Sequence, residues 1–129
     1  MENNKTYFVS LKAFIEKDDK LLVLENNKRG LDFPGGQIQN GILEEELKRE
    51  VYEETNLKIK VIQPFCIWDM HIDSENKNVF FVGFKCIYES GELKLSHEHL
   101  NYSWVDESNY KSKTMNNDIW SEMLSKYFE

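Results

Sequence analysis

The sequence predicts an α/β protein with a mixed sheet, and three observations carry that expectation. Two strand-like runs precede a strong helix candidate, three more follow it, and an amphipathic segment closes the chain, in the order β-β-α-β-β-β-α. The length of 129 residues, with 40% hydrophobic and 13% aromatic residues, fits one globular domain over 1–129. Repeats, low-complexity segments and linkers are absent from the sequence.

Each element has its own signal. "TYFVSLKAFIEK" mixes β-branched and aromatic residues and ends at "DD", a turn, after which "KLLVLEN" completes an opening hairpin. "NNKRG" reads as a loop, and "LDFPGG" as a short extended piece that the Pro-Gly-Gly turn terminates. Leu43 to Thr55 is rich in Glu, Leu, Lys and Arg without internal Gly or Pro, so it predicts a helix. Asn56 follows it, a residue that tolerates the left-handed conformation of helix ends. "LKIKVI" is then a strand.

"FCIWDMHI" and "VFFVGFKCIY" alternate with period two, and "DSENKN" between them predicts an antiparallel hairpin. Cys66, Trp68, Met70 and Ile72 share one face; Phe80, Val82, Phe84 and Cys86 share another. Were Trp68 to pair with Phe84, the two cysteines would lie opposite one another; two reduced core thiols are the favoured expectation. A short strand "LKL" follows the turn "ESGE", then comes "SHEHLNYSWV". "NNDIWSEMLSKYF" reads as a C-terminal helix with Ile119, Trp120, Met123, Leu124 and Tyr127 at helical spacing.

The net charge of −7 argues against a nucleic-acid polymer as partner, because such binding rests on basic residues neutralising phosphates. A small phosphorylated ligand stays compatible if a divalent cation stands between the two sets of negative charge. The apolar runs are too short for a bilayer, so no membrane partner is expected. "MENNKTYF" lacks the regions of a secretory signal, which predicts a cytoplasmic location.

The predicted helix carries the chemistry. At about 100° per residue, Glu46, Glu50, Glu53 and Glu54 fall within roughly a third of its circumference. Leu43 and Leu47 lie at the edge of that arc, so Glu50 and Glu54 stand beside residues that must pack. Most charge runs on helices are surface decoration. Carboxylates at i, i+3 and i+4 otherwise repel, and a hard cation with oxygen ligands turns that repulsion into binding. Mg²⁺ suits such a half-open site, with Mn²⁺ as the alternative. "PGG" just before the helix offers backbone that a ligand can approach closely.

"PGGQIQNG" followed by "REVYEETNL" resembles the signature of the Nudix hydrolases, the MutT-like family, whose pattern is G-x5-E-x7-R-E-U-x-E-E-x-G-U with U a bulky aliphatic. Arg49, Glu50, Val51, Glu53, Glu54 and Leu57 stand in place. The resemblance implies an α/β/α sandwich with a mixed central sheet and Mg²⁺-dependent hydrolysis of a nucleoside diphosphate linked to another moiety. It implies Glu50, Glu53 and Glu54 as metal ligands with the Gly35 carbonyl, and Arg49 as the residue that orients them. "SHEHLNYSWV" is similar to a late segment where many members carry another acid, here Glu98, a further ligand or the base; Glu53 is the other candidate base. The implied partner is a small nucleotide substrate, and a homodimer stays open.

Two positions depart from the pattern. Asn56 replaces its last glycine, and Gly41-Ile42 stands where the first glutamate belongs. The resemblance makes that glutamate a partner of the arginine, and Glu45 or Glu46 is placed to substitute. A Nudix-like domain that binds a nucleotide with little catalysis is the competing reading. Trp68, Trp104 and Trp120 are expected in the core, and His71, His97 and His99 form no recognisable metal spacing.

Overall fold

Asp18 and Asp19 both take positive φ, 53° and 62°, the requirement of a two-residue I′ hairpin turn. This turn joins β1 (Tyr7–Lys17) to β2 (Lys20–Asn26) as the sequence predicts. The computed structural model describes residues 5–26, 30–114 and 118–129, so most of the predicted "NNKRG" loop lies outside the described residues.

The two strands pair only beside their turn, at Glu16–Leu21 and Lys17–Lys20, and separate beyond it. Two short strands fill the split: β3 (Gly30–Asp32) pairs with β2, and β4 (Gly35–Gln37) pairs with β1. The Pro-Gly-Gly sequence therefore does not simply end an extended piece, because its glycines are themselves strand residues. Gly35 has φ +139°, and a Cβ there would collide with the Leu11 carbonyl, so only glycine lets β4 lie this close to β1.

α1 (Leu43–Thr55) ends at Asn56, which takes φ 67° and returns its N–H to the Tyr52 carbonyl. The predicted "LKIKVI" and "FCIWDMHI" strands merge into one, β5 (Lys58–Ile72), interrupted by bulges around Gln63 and Phe65. Pro64 is tolerated inside it because β5 is an edge strand and Pro64 sits between its bulges. A 3₁₀ turn at Asp73–Glu75 leads to β6 (Lys77–Ser90), which runs antiparallel to β5 and parallel to β1.

The bulges set a register different from the one that would oppose the cysteines: Trp68 pairs with Phe81, and Phe84 with Pro64. Cys66 packs in one core layer and Cys86 in the other, on opposite faces of the sheet. They are free thiols, and burial pushes them up to about 11 and about 12.

The predicted "LKL" strand does not form. Its segment caps α1 instead: the Lys94 and Ser96 amides donate to the Thr55 and Glu54 carbonyls, both at 2.9 Å. A helix end leaves such carbonyls without intrahelical partners, and here they outcompete a sheet edge. β7 (His99–Val105) then pairs with β2. A short helix not foreseen in the sequence, α2 (Tyr110–Thr114), precedes α3 (Ile119–Tyr127), whose N-cap Asp118 accepts from the Ser121 amide at 2.9 Å. Asn116 and Asn117 of the predicted helix lie outside the described residues.

Among the described residues, seven strands make one mixed sheet with apolar layers on both faces. α3 covers one with Trp120 and Leu124 against Phe14, Phe33, Trp68 and Phe81. α1 covers the other with Leu47 and Val51 against Leu11, Ile15 and Leu24. The result is the expected α/β/α sandwich. No described helix is long and apolar enough to cross a membrane.

Candidate active site

Where β1 and β2 part, a cavity of about 480 Å³ opens, lined by Lys12, Asp32, Gly35, Gly36, Glu54 and His99 among others. Asp32 is the hub of its buried wall. Its Oδ1 accepts from Lys12 Nζ at 3.1 Å and from the Phe33 amide at 2.8 Å. Its Oδ2 meets Asn26 Nδ2 and His99 Nε2, each at 3.1 Å. A charge is tolerated out of water when it is paired and hydrogen-bonded, and Asp32 is both.

α1 brings Glu54 against this wall. Its Oε2 accepts from the Gly35 amide at 3.2 Å, and its Oε1 lies 3.8 Å from His99 Nε2. Burial pushes the Glu54 carboxyl up to about 7, against the opposing pull of Lys12, His99 and the Gly35 amide. Glu98, exposed in the turn before β7, completes the group: one atom each from Glu54, Glu98 and His99 lie within 4.8 Å of one another. His99 Nδ1 is buried and, among the described residues, has no hydrogen-bond partner. Two carboxylates and an imidazole at this spacing, beside an unsatisfied ring nitrogen, fit a divalent cation.

The other predicted residues gather around Arg49, with Glu50 also reaching the cavity wall. Arg49 Nη1 holds Glu53 at 2.9 Å and Nη2 holds Glu50 at 3.2 Å, so both carboxylates turn to the guanidinium. Glu46 is the third partner, at 3.2 Å from Nε. Of the two proposed substitutes for the missing box acid, Glu46 is the one in contact, and Glu45 is exposed. Glu50 also lies against β4, since a Cβ on Gly36 would stand 3.1 Å from its Oε2. Burial raises the Glu50 carboxyl above its ordinary value; Arg49 opposes this, and Glu53 and Glu98 add to it.

The structure thus gathers Gly35, Glu54 and Glu98 at the cavity and Glu50 and Glu53 around Arg49. Sequence reasoning missed Lys12, Asp32 and His99. A signal existed for the first two: each is a charged residue flanked by apolar ones, Leu11 and Ala13 for Lys12 and Leu31 and Phe33 for Asp32. His71 binds Asn78 at the surface, 3.0 Å away, and takes no part. Trp68 and Trp120 are buried as expected, and Trp104 is partly so.

Acids brought to a glycine-lined cavity beside a helix face are the arrangement that the resemblance to the Nudix hydrolases implies. A comparison with family models matches the NUDIX domain to residues 7–124, and the chain belongs to the Nudix family. Solved structures agree. A MutT protein from Methanosarcina mazei Go1 is 27% identical, with 98% of this chain and 96% of that one covered at TM-score 0.80. A MutT protein from Bacillus halodurans is 25% identical, with 91% and 80% covered at TM-score 0.72. An ADP-ribose pyrophosphatase from Streptococcus suis, 23% identical with 78% and 75% covered at TM-score 0.62, shares the fold. Curated protein sequences give no match.

Proposed function

We propose that the protein is a Mg²⁺-dependent pyrophosphohydrolase, with Mn²⁺ as a substitute, acting on a nucleoside diphosphate linked to another moiety. The observation that carries this reading is the meeting of Glu54, Glu98 and His99 in the cavity that Gly35 and Gly36 line. Glu50, Glu53, Glu54 and the Gly35 carbonyl would hold the cation, with Glu98 beside them and Arg49 orienting the cluster. The chemistry supplied by a bound divalent cation is charge neutralisation on the phosphate oxygens and acidification of water.

Glu98 takes the proton of the attacking water in this reading. Glu53 is the weaker candidate, since Arg49 holds one of its oxygens at 2.9 Å, whereas Glu98 lines the cavity. Water attacks phosphorus, its proton passes to the carboxylate, and the P–O bond to the departing phosphate breaks with its electron pair. The cavity falls within the range of roughly 300–1,000 Å³ typical for small ligands. The net charge of −7 fits a small substrate met through a cation better than a polymer.

The fold neighbours differ in what their names say they act on, ADP-ribose in one and UDP-X in another. The test is therefore a panel: ordinary and oxidised nucleoside triphosphates, dinucleoside polyphosphates, ADP-ribose and UDP-sugars, with Mg²⁺. Phosphate products are identified by phosphorus NMR. At least one compound should be cleaved, and a chelator should stop it. Nucleotide binding without turnover across the whole panel would replace this reading with a binding module.

A further inference from the structure

The three carboxylates around Arg49 are not equivalent. Glu46 takes two guanidinium nitrogens, Nε at 3.2 Å and Nη2 at 3.4 Å, the forked geometry that suits a planar cation. Glu50 and Glu53 take one contact each. Hydrogen bonds with Glu46 first, and Glu53 second, hold Arg49 in its charged form above its ordinary value. The Glu46 side chain is about as sheltered as that of Glu50, at 23% and 22% exposure against 57% for Glu53.

The chain just before the helix passes beside this fork without adding to it. Gly41 has φ +104°, and a Cβ there would lie 3.7 Å from Glu46 Cγ, so the backbone turns directly beside the Glu46 side chain. Ile42 is the N-cap, 72% exposed, and makes no side-chain cap. Neither residue offers Arg49 a carboxylate. Remove the Glu46 charge, and two guanidinium donors are released to compete for the oxygens of Glu50 and Glu53.

We propose that Glu46 is a positioning residue of the hydrolytic site: by clamping the Arg49 guanidinium it sets where Glu50 and Glu53 stand. Its effect on turnover rests on the metal-dependent reading above, whereas its effect on cation affinity can be read without any substrate.

The experiment compares wild type with Glu46→Gln, Glu45→Gln and the double variant Ile42→Glu/Glu46→Gln. Mn²⁺ alone is titrated by electron paramagnetic resonance, and kinetics use the panel compound that wild type cleaves fastest. Supporting residues behind metal ligands typically change affinity or activity by about 10- to 100-fold, so Glu46→Gln should lower Mn²⁺ affinity and kcat by at least about tenfold. KM should move far less, since no substrate contact is lost. Glu45→Gln should match wild type. Ile42, the N-cap, stands four positions before Glu46, so Ile42→Glu in the Glu46→Gln background should return a carboxylate to this end of the helix and recover part of both losses.

Wild-type Mn²⁺ affinity and kinetics in Glu46→Gln would overturn the proposal, as would an equal loss in Glu45→Gln. A loss that Ile42→Glu fails to recover, accompanied by a lowered melting midpoint, would make Glu46 a helix-stabilising residue only and overturn it too. If wild type binds Mn²⁺ but cleaves nothing, the hydrolase reading fails while the Mn²⁺ affinities still decide the role of Glu46.

Discussion

Around Arg49, three glutamates of a single helix hold one cation at the surface, with the Arg49 side chain 48% exposed. Around Asp32, by contrast, Lys12, Glu54 and His99 converge from separate elements, and all four residues are at most 9% exposed. Exposed pairs gain little because water screens them and flexible side chains must be held still. Buried charges cost several kcal/mol each to desolvate, so Asp32 needs Lys12 and His99, while Glu54 relieves its own charge against Lys12, His99 and the Gly35 amide. The outer fan can rearrange cheaply when a ligand arrives. The inner wall cannot, and it fixes the backbone against which the ligand would sit.

The sharpest way to break this comparison is to remove one member from each group and measure stability. Asp32→Ala leaves Lys12 buried without its carboxylate and should destabilise the fold by about 3–5 kcal/mol in urea unfolding. Arg49→Ala should leave the urea midpoint close to that of wild type in the same assay. Equal losses would show that the two groups do not differ as burial implies.

The next effect is a pH dependence confined to the inner group. Glu54 holds its proton more tightly in the folded chain than its ordinary value of 4.5, with its carboxyl at about 7. Its contribution to stability is therefore present in full below 4.5, fades as pH rises, and is gone above about 7. The interval corresponds to about 3 kcal/mol. Metal-free protein should lose stability between about pH 4.5 and about pH 7 on roughly this scale, and Glu54→Gln should flatten the profile. Saturating Mg²⁺ at the upper end should restore part of the loss, because the ionised carboxylate gains a partner. A flat wild-type profile would mean that Glu54 is solvated in solution.

Glu98 tests whether the exposed turn between the two groups does chemistry. Glu98→Gln should lower kcat by about 10² or more, the usual scale for a general base. Its melting midpoint should hardly move, since the residue is exposed. Rates within a few-fold of wild type would transfer the base to Glu53.

The smallest effect is expected at the departure from the family pattern. Ile42→Glu in otherwise wild-type protein should change the rate by less than about tenfold, because Glu46 already occupies Arg49. An increase of about a thousandfold, roughly 4 kcal/mol of barrier, would show that the outer fan is poorly held as it stands.

Local chemistry made much of the molecule legible in advance. Asp18-Asp19 signalled a turn that positive φ realises, and Asn56 signalled the helix end where it occurs. The outer fan was legible for the same reason: Glu46, Glu50 and Glu53 stand at helical distances from Arg49, which periodicity alone assigns. The short strand expected at Leu93–Leu95 failed because its pattern says nothing of the open carbonyls at Glu54 and Thr55 that its amides reach instead.

By itself the sequence determined the opening turn, the bounds and two faces of α1 and the membership of a hydrolase family, all of which depend on spacing within short segments. Only the tertiary structure decided that β1 and β2 part beyond their turn, that β3 and β4 fill the split, and that Lys12, Asp32, Glu54 and His99 meet there. It also decided that Cys66 and Cys86 face opposite layers, through bulges that shift the register of β5. Asp32 and His99 are 67 positions apart. Pairing at that distance is chosen by how well buried charges satisfy one another once strands have packed, and no local pattern encodes it.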